Sequence, residues 1–495
     1  MMKRFLLFLL AFTFIFASCA ETELYNEEPV ALDDDSPQIS IQEEEPIVAK
    51  NETFIVGFCK SESADPYTTS NKLNSELMGL ITEPLFSVSD VFEVAPVLCS
   101  DYTVREKEWT FSIRNDVTFS DGSKLTVADV EESILAAMEP ASYFGTRLSI
   151  IESVTSSKRA GTVTITLKYE NARFASLLDF PIIKKGTRGN PLPTGTGIYA
   201  PDEAMENLVA RDGHHSGNTP HYKTIRLCNI STNEELIFKF DALDISTLTS
   251  DPTGTASRFP GIPVDLISVP STTLHYLGFN AKNEKLANKE VRKAIARAID
   301  RKSIAENDFA FMGNEATLPL HPQSLGYPWE TAMDLEYDRD AKIEVGIPLT
   351  ILVNNENSAK VAACNRIAED LTKCGTTTTV RALPFNEYTT ALQNGDFTLY
   401  YAEVSLTPDF DITRELLGSL NFGKVSDISM TAALMAYLGG DEGCETYFST
   451  FCDVVPFAPI FFKNTAMYTQ KNFFKTTCPS SQNIYYNFCD WEIGG

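Results

Sequence analysis

Four carboxylates lie close together in one stretch of the sequence, where paired acids would suit general acid–base catalysis. They are Asp121, Asp129, Glu131 and Glu132. Asp121 precedes Gly122, and an Asp-Gly pair favours a tight turn. Thr126 and Asp129 have the spacing of a helix capping box, and the two glutamates fall on the polar face of that helix. We therefore expect turn, cap and solvent roles for these acids, and no catalysis.

Three of the five histidines lie within eight positions, at His214, His215 and His221. Neutral imidazoles are good ligands for transition metals, so this spacing is one that a metal site would use. A second motif, Thr194-Gly195-Thr196-Gly197, has two glycines two positions apart. No Lys-Ser/Thr pair follows it, so it indicates a tight turn entering a strand and no phosphate loop.

No catalytic motif with a fixed spacing is present in the chain. The sequence contains no H-E-x-x-H, no G-x-S-x-G and no P-loop. The net charge of -26 argues against a nucleic-acid partner, because phosphate binding needs clustered Lys and Arg. The length of 495 residues suits two or three domain-sized cores, and 43% hydrophobic residues are ordinary for a globular protein. We expect a binding protein, with no enzymatic activity and no cofactor.

The N-terminal segment has the pattern of a secretory signal. Lys3 and Arg4 precede an apolar run, and small residues precede Cys19. The run Phe16-Ala17-Ser18-Cys19 resembles a bacterial lipobox, which implies a signal peptide at 1–18 and a lipid on Cys19. Residues 19–50 carry ten acids before Lys50, which predicts a disordered tether. We expect a protein anchored on the outer face of the bacterial cytoplasmic membrane.

Regular patterns position these residues on strands and helices. Trp109, Phe111 and Ile113 alternate with polar residues, which predicts a half-buried strand. Leu274–Phe279 predicts a buried strand, and Val291, Ala294, Ile295, Ala298 and Ile299 form the apolar stripe of a helix. With that stripe buried, the opposite face of the helix is predicted to expose four residues to water: Arg292, Lys293, Arg297 and Asp300. A strand at 349–353, a helix at about 358–373 and a strand at 379–383 predict a parallel pair.

Two of these stretches carry a family resemblance. Tyr276–Asn280 (YLGFN) with the helix after it, and residues 109–134 (WTFSIRNDVTFSDGSKLTVADVEESI), resemble the family 5 extracellular solute-binding proteins of ABC importers. The resemblance implies an α/β, two-lobed periplasmic-binding-protein-like fold (class II, cluster C) with a hinge and an inter-lobe cleft. Lobe one would be 51–270 plus 475–495, with an extra subdomain at about 70–180. Lobe two would be 271–474.

The resemblance also implies a function and a set of site residues. The protein would capture peptides outside the membrane and deliver them to the permease of an ABC transporter. Its ligand-binding candidates are Tyr276, Phe279, Asn280, Tyr401, Glu403 and Asp409. His214 and His215 stand where the family has an aromatic pair, so no metal site is expected. We expect a monomer.

One departure from the family pattern leaves several classes of ligand as alternatives. Peptide-binding members have an aspartate three residues after a tryptophan, whereas this chain has Glu403 and Leu406 at the matching positions. Oligosaccharides, nickel complexes and opines are alternative ligands in the family, and a receptor for a signalling peptide would share every feature. Nine cysteines remain after Cys19, so at least one thiol would be free or paired between chains.

Overall fold

The computed structural model describes residues 52–254, 259–440 and 444–494. The predicted signal peptide at 1–18, the lipidated Cys19 and the tether at 19–50 lie outside the described residues. Within the described ranges, every helix is too short or too polar to cross a bilayer.

The described residues contain 19 strands. In chain order they are β1 (Phe54–Phe58), β2 (Phe86–Val88), β3 (Val94–Pro96), β4 (Cys99–Arg105), β5 (Glu108–Ile113), β6 (Ile151–Ser157), β7 (Thr162–Leu167), β8 (Tyr199–Pro201), β9 (Asn207–Ala210), β10 (Thr224–Asn229), β11 (Thr247–Ser250), β12 (Val264–Phe279), β13 (Gly313–Glu315), β14 (Leu349–Asn354), β15 (Thr378–Leu383), β16 (Leu399–Ser405), β17 (Phe457–Gln470), β18 (Phe474–Thr476) and β19 (Glu492–Ile493).

Helices cover the faces of the sheets. They are α1 (Lys72–Ile81), α2 (Val127–Ala137), α3 (Asn233–Asp241), α4 (Glu284–Ala287), α5 (Lys289–Arg297), α6 (Arg301–Ser303), α7 (Trp329–Ala332), α8 (Ser358–Lys373), α9 (Phe385–Asn394), α10 (Thr413–Leu416), α11 (Ile428–Leu438) and α12 (Cys444–Val454). The predicted capping box is present at α2, where the backbone N–H of Thr126 donates to Asp129 Oδ2 at 2.9 Å. Asp129 is therefore a cap, as its spacing predicts.

Two sheets lie in the first part of the chain. One has the order β1-β10-β9-β8, and the other, β4-β5-β7-β6, is antiparallel throughout. The predicted alternation in β5 is confirmed, because Trp109 and Phe111 are buried while their neighbours are less so. Late residues also pack into the first sheet's core: the ring centroid of Phe54 in β1 lies 4.8 Å from that of Phe488. Late residues such as Phe488 therefore complete the hydrophobic core that contains β1.

The largest sheet has the order β11-β17-β12-β16-β14-β15, with β13 paired to β17. The predicted strand–helix–strand unit is confirmed, since β14 and β15 are parallel and α8 connects them. β12 and β17 are antiparallel neighbours of 16 and 14 residues. Their pairing is interrupted between Val269 and Thr273, where Ser271 Oγ donates to the carbonyl of Lys463 at 2.6 Å.

On the two sides of that interruption, β12 and β17 contribute side chains to different hydrophobic cores. Val269 and Met467 belong to the core around β1 and α1, whereas Leu274 and Phe462 belong to the core of the large sheet. A further core occupies residues 67–183. Two long strands therefore connect separate packed bodies.

The predicted direction of Arg292 is wrong. Arg292 is 4% exposed, and its guanidinium donates to the carbonyls of Val454, Val455, Leu286 and Ala287. The reason is that α5 packs against the end of α12, whose last carbonyls have no partner within their own helix. The nine cysteines of the described residues all carry free thiols.

Candidate functional site

Three adjoining cavities lie where the packed bodies meet. The central cavity, beside Glu76 and Tyr143, has a volume of about 590 Å³. A second cavity beside Glu403, which we call the hinge cavity, has a volume of about 430 Å³, and a third beside Asp409, which we call the clasp cavity, has a volume of about 110 Å³. The central cavity shares Arg147 with the clasp cavity and Thr465 with the hinge cavity. The three cavities are therefore neighbours, and the volume of the central cavity is one that commonly holds small ligands.

The central cavity is lined mainly by elements of the first part of the chain. Its walls are α1 with the loop before it, residues 143–147, the segment 481–486, and Val269 and Thr465 from the long strands. Tyr143 presents a largely exposed ring at this wall. The cavity therefore combines an aromatic surface with polar side chains and sits directly beside the interruption in β12.

An arginine–aspartate pair lies in the wall of the central cavity. Arg147 contacts Asp179, and their side chains are 13% and 3% exposed. Asp179 Oδ2 and Arg147 Nε are buried without a hydrogen-bond partner. Burial raises the pKa of the Asp179 carboxyl, although the Arg147 guanidinium opposes that rise. Each group therefore keeps unused hydrogen-bonding capacity in the wall of the cavity.

A second acid lines the same cavity from α1. Lys72 Nζ lies 3.7 Å from Glu76 Oε1, and Thr249 Oγ1 donates to the same oxygen. Burial raises the pKa of Glu76, while the Lys72 charge opposes the rise. The central cavity thus has one acid–base pair on α1 and one at Arg147–Asp179.

Glu403 lies in the wall of the hinge cavity, together with Asp251, Ser271, Thr273, Ser405 and Lys463–Thr465. Its carboxylate is already paired, with Lys360 Nζ at 2.7 Å and His275 Nε2 at 3.1 Å. Burial acts to raise the pKa of Glu403, but His275 and Lys360 together lower it well below its usual range. A ligand ammonium would have to compete with Lys360 for this carboxylate.

Asp409 lies in the wall of the clasp cavity, between residues 146–177 and 405–415. Its Oδ2 accepts from Asn171 Nδ2 at 2.8 Å, and the two residues belong to different packed bodies. Nearby, the guanidinium of Arg173 lies 4.2 Å from the ring centroid of Tyr437. We call these two contacts the clasp, because they join the body at 67–183 to the large-sheet body.

The other four predicted ligand-binding residues lie in the core of the large-sheet body. Tyr276, Phe279 and Tyr401 are at most 2% exposed, and Asn280 donates to the carbonyls of Gly395 and Phe397. Leu274–Phe279 of β12 and Leu399–Tyr401 of β16 are buried throughout, so side chains on both faces of these parts of the strands are covered. The described cavities are lined by other residues, and contact of these four with a ligand stays a prediction.

The residues of the central cavity were not identified in the sequence. Arg147 and Asp179 lie far apart in the chain, and neither belongs to a motif. One signal was present: Asp179 interrupts the apolar run Leu177-Leu178-Asp179-Phe180. A lone acid within an apolar run indicates a buried charge that needs a partner, and such groups concentrate at functional sites.

The structure brings together only two of the three clustered histidines. The rings of His214 and His215 are tilted by 41° with centroids 4.2 Å apart beside Glu83, whereas His221 packs against Tyr222 with centroids 5.0 Å apart. The Thr194–Tyr199 motif is the predicted turn, because the N–H of Gly197 donates to the carbonyl of Ile81 and β8 begins at Tyr199.

Comparison with known proteins gives consistent matches. Residues 93–413 match the family described as bacterial extracellular solute-binding proteins, family 5 Middle. The glutathione-binding protein GsiB of Escherichia coli K12 is 22% identical over 344 residues, which cover 64% of this chain and 67% of that protein.

Solved structures resemble the chain over most of its length. HbpA2 from Haemophilus parasuis superposes with a TM-score of 0.70 at 18% identity, covering 88% of this chain and 99% of that one. The oligopeptide-binding protein AppA from Bacillus subtilis, in complex with a nonapeptide, gives a TM-score of 0.56 at 19% identity, covering 90% and 99%. The fold is thus that of two-lobed periplasmic binding proteins, as the sequence predicts.

Proposed function

The chain belongs to the bacterial extracellular solute-binding proteins of family 5, and from that premise we propose that it captures short peptides outside the membrane for an ABC importer. Members of this family are binding proteins and not enzymes. Two relatives support a peptide ligand, since one is named for glutathione and the other is in complex with a nonapeptide.

The observation that carries the proposal is the Arg147–Asp179 pair in the central cavity. A peptide is a zwitterion, and its ammonium and carboxylate need partners of opposite sign. Asp179 Oδ2 and Arg147 Nε both have unused hydrogen-bonding capacity within the same wall. We therefore place the charged end groups of the ligand near this pair, and a side chain of the ligand against Tyr143.

We keep the predicted lobes as part of the proposal. Lobe one is 51–270 plus 475–495, with its subdomain at about 70–180, and lobe two is 271–474. The interruption of β12 between Val269 and Thr273 supports a hinge at the first boundary. Closure of the lobes around the ligand would then shift the population toward the form that docks on the permease.

Binding measurements on two variants test the proposal. Mass spectrometry of the intact protein under native conditions first identifies a copurified ligand, and calorimetry then measures its Kd. Asp179→Asn keeps the shape of the side chain but removes its charge, and Arg147→Gln removes the opposite charge. We expect each to raise Kd about 30-fold, which corresponds to about 2 kcal/mol for a charged hydrogen bond.

Arg114→Gln is the matched control, because Arg114 forms an exposed pair with Asp116 in the same subdomain and lines none of the three cavities. Its Kd should equal that of the wild type. Thermal unfolding shows whether each variant is folded. A copurified oligosaccharide or metal complex, or peptide binding that is unchanged in both variants, would contradict the proposal.

Membrane attachment forms a separate part of the proposal. We propose that Cys19 is lipidated, that residues 19–50 tether the lobes to the outer face of the cytoplasmic membrane, and that the protein is a monomer. The sequence around Cys19 supports this. Labelling of cells with a radioactive fatty acid should mark the wild type and not Cys19→Ala, and equal labelling of both would contradict it.

A further inference from the structure

Glu83 and the His214–His215 pair come together from distant parts of the chain. Glu83 follows Thr82, the residue that caps the C-terminus of α1. The two histidines lie in the connection between β9 and β10, where Gly213 and Gly217 have φ values of +66° and +72°. Glycine tolerates this left-handed backbone, so the connection can fold back over the end of α1. No residue of the group lines the central, hinge or clasp cavity.

The three side chains have the spacing of metal ligands. One ligand atom from each of Glu83, His214 and His215 lies within 4.8 Å of the other two. Glu83 Oε1 is 3.3 Å from His215 Nε2 and 3.7 Å from His214 Nε2. Ligands of a tetrahedral ion with bonds of about 2.1 Å are separated by about 3.4 Å, so small side-chain rotations complete the geometry.

The group also has unused binding capacity. Glu83 Oε2 is buried without a hydrogen-bond partner, which is costly for a carboxylate oxygen unless a ligand satisfies it. The imidazoles are 3% and 4% exposed, while the Glu83 side chain is 17% exposed. The histidines are therefore held in place, and the side next to Glu83 leaves access for an ion and its water.

The hydrogen bonds of His214 show what metal binding through its Nε2 would change. Its Nε2 lies 3.0 Å from the carbonyl of Thr196, and its Nδ1 lies 2.9 Å from Ser216 Oγ. When Nε2 binds a metal, its proton must leave and Nδ1 must carry one. In the structure Nε2–H donates to the carbonyl of Thr196, and Nδ1 accepts from the N–H of Ser216 at 3.3 Å. Metal binding through Nε2 therefore moves the proton to Nδ1, where the Ser216 hydroxyl can accept it.

The charges around the group determine which ions suit it. Arg114 and Arg211 both lie within electrostatic range of Glu83, so the site has no excess of negative charge. Ca²⁺ and Mg²⁺ prefer several oxygen ligands, whereas two imidazoles and one carboxylate suit a borderline ion. We propose that Glu83, His214 and His215 bind one Zn²⁺ or Ni²⁺ ion, at a site separate from the peptide cleft and independent of the proposed function.

Titration of the untagged protein with ZnCl₂ tests this site. Calorimetry should show one Zn²⁺ per chain in the wild type. Glu83→Gln, His214→Gln and His215→Gln should each raise Kd at least tenfold, because each removes one of three protein ligands. Circular dichroism establishes that each variant remains folded.

His221→Gln is the matched control, since His221 lies near the pair in sequence but outside the ligand group. It should bind Zn²⁺ like the wild type. Co²⁺ gives a second measurement: the wild-type complex should show the strong visible absorption of four-coordinate cobalt, and Zn²⁺ should abolish it. The proposal is overturned if the wild type binds no stoichiometric Zn²⁺, or if the ligand variants bind it as tightly as His221→Gln.

Discussion

His321 is a fully buried histidine between two aromatic rings. Its ring centroid lies 4.7 Å from that of Phe92 and 5.0 Å from that of Phe462. Its Nδ1 accepts from the N–H of Gln323 at 3.1 Å, so that nitrogen has no room for a proton. Burial lowers the pKa of His321 to about 3. The ring is therefore neutral in the folded protein at neutral pH.

This burial predicts a loss of stability in mild acid. In the unfolded chain the pKa of histidine is about 6.5, so between about pH 3 and pH 6.5 unfolding takes up a proton and stability falls as the pH falls. From about pH 7 to about pH 5, the free energy of unfolding should drop by about 2 kcal/mol through His321 alone. Urea unfolding of the wild type and of His321→Asn at both pH values measures this change in the free energy of unfolding.

The comparison with the variant isolates one group. His321→Asn cannot titrate, so its stability should fall about 2 kcal/mol less than that of the wild type over the same range. His221→Gln, which alters an exposed histidine, should keep the wild-type dependence. Equal pH dependence in wild type and His321→Asn would show that His321 does not carry the effect.

At the scale of elements, the turn at Gly195–Gly197 packs directly on the end of α1. A Cβ on Gly197 would lie 2.4 Å from the carbonyl carbon of Ile81 and 2.6 Å from the carbonyl oxygen of Leu80. These are backbone atoms of a helix end and cannot rotate away. Gly197→Ala should therefore lower the free energy of unfolding by about 2–3 kcal/mol, measured by urea unfolding.

Gly189→Ala is the matched control for this turn. A Cβ there meets no atom within 4 Å, so its stability should stay within about 0.5 kcal/mol of the wild type. If both alanine variants were equally stable, close packing of the turn on α1 could not be the reason for glycine at position 197.

Elements that bury one face were predictable from the sequence. β5 alternates because one of its faces is buried, and Asp129 caps α2 because the cap needs only local spacing. The direction of Arg292 was not predictable, since its carbonyl partners Val454 and Val455 lie far along the chain. The central cavity was not predictable for the same reason, because Arg147 and Asp179 meet only in the folded structure. The stretches that carry the family resemblance are contiguous, so the sequence alone shows them.

At the scale of the whole molecule, the clasp joins the two bodies across the cleft. Asn171 Oδ1 accepts from the N–H of Arg173 at 2.8 Å, while its Nδ2 donates to Asp409. Asn171→Asp would keep the first bond and place a second carboxylate against Asp409. Like charges at this distance repel, so the clasp should open and the radius of gyration of the ligand-free protein, measured by X-ray scattering, should increase.

Asn190→Asp is the control, because it adds the same charge at an exposed position just beyond the body at 67–183. Its scattering curve should match that of the wild type. Identical curves for all three proteins would mean that the contact between Asn171 and Asp409 does not hold the bodies together.

The contact of Phe54 with Phe488 has a consequence for biosynthesis. Phe54 also lies near Phe473 and Tyr485, so the core around β1 needs side chains from both extremes of the described chain. A ribosome adds the late residues last. The nascent polypeptide therefore cannot complete this core until synthesis is nearly finished: β1 can pair with β10 once residue 229 has been added, but the ring of Phe54 still lacks its contacts with the late aromatic residues.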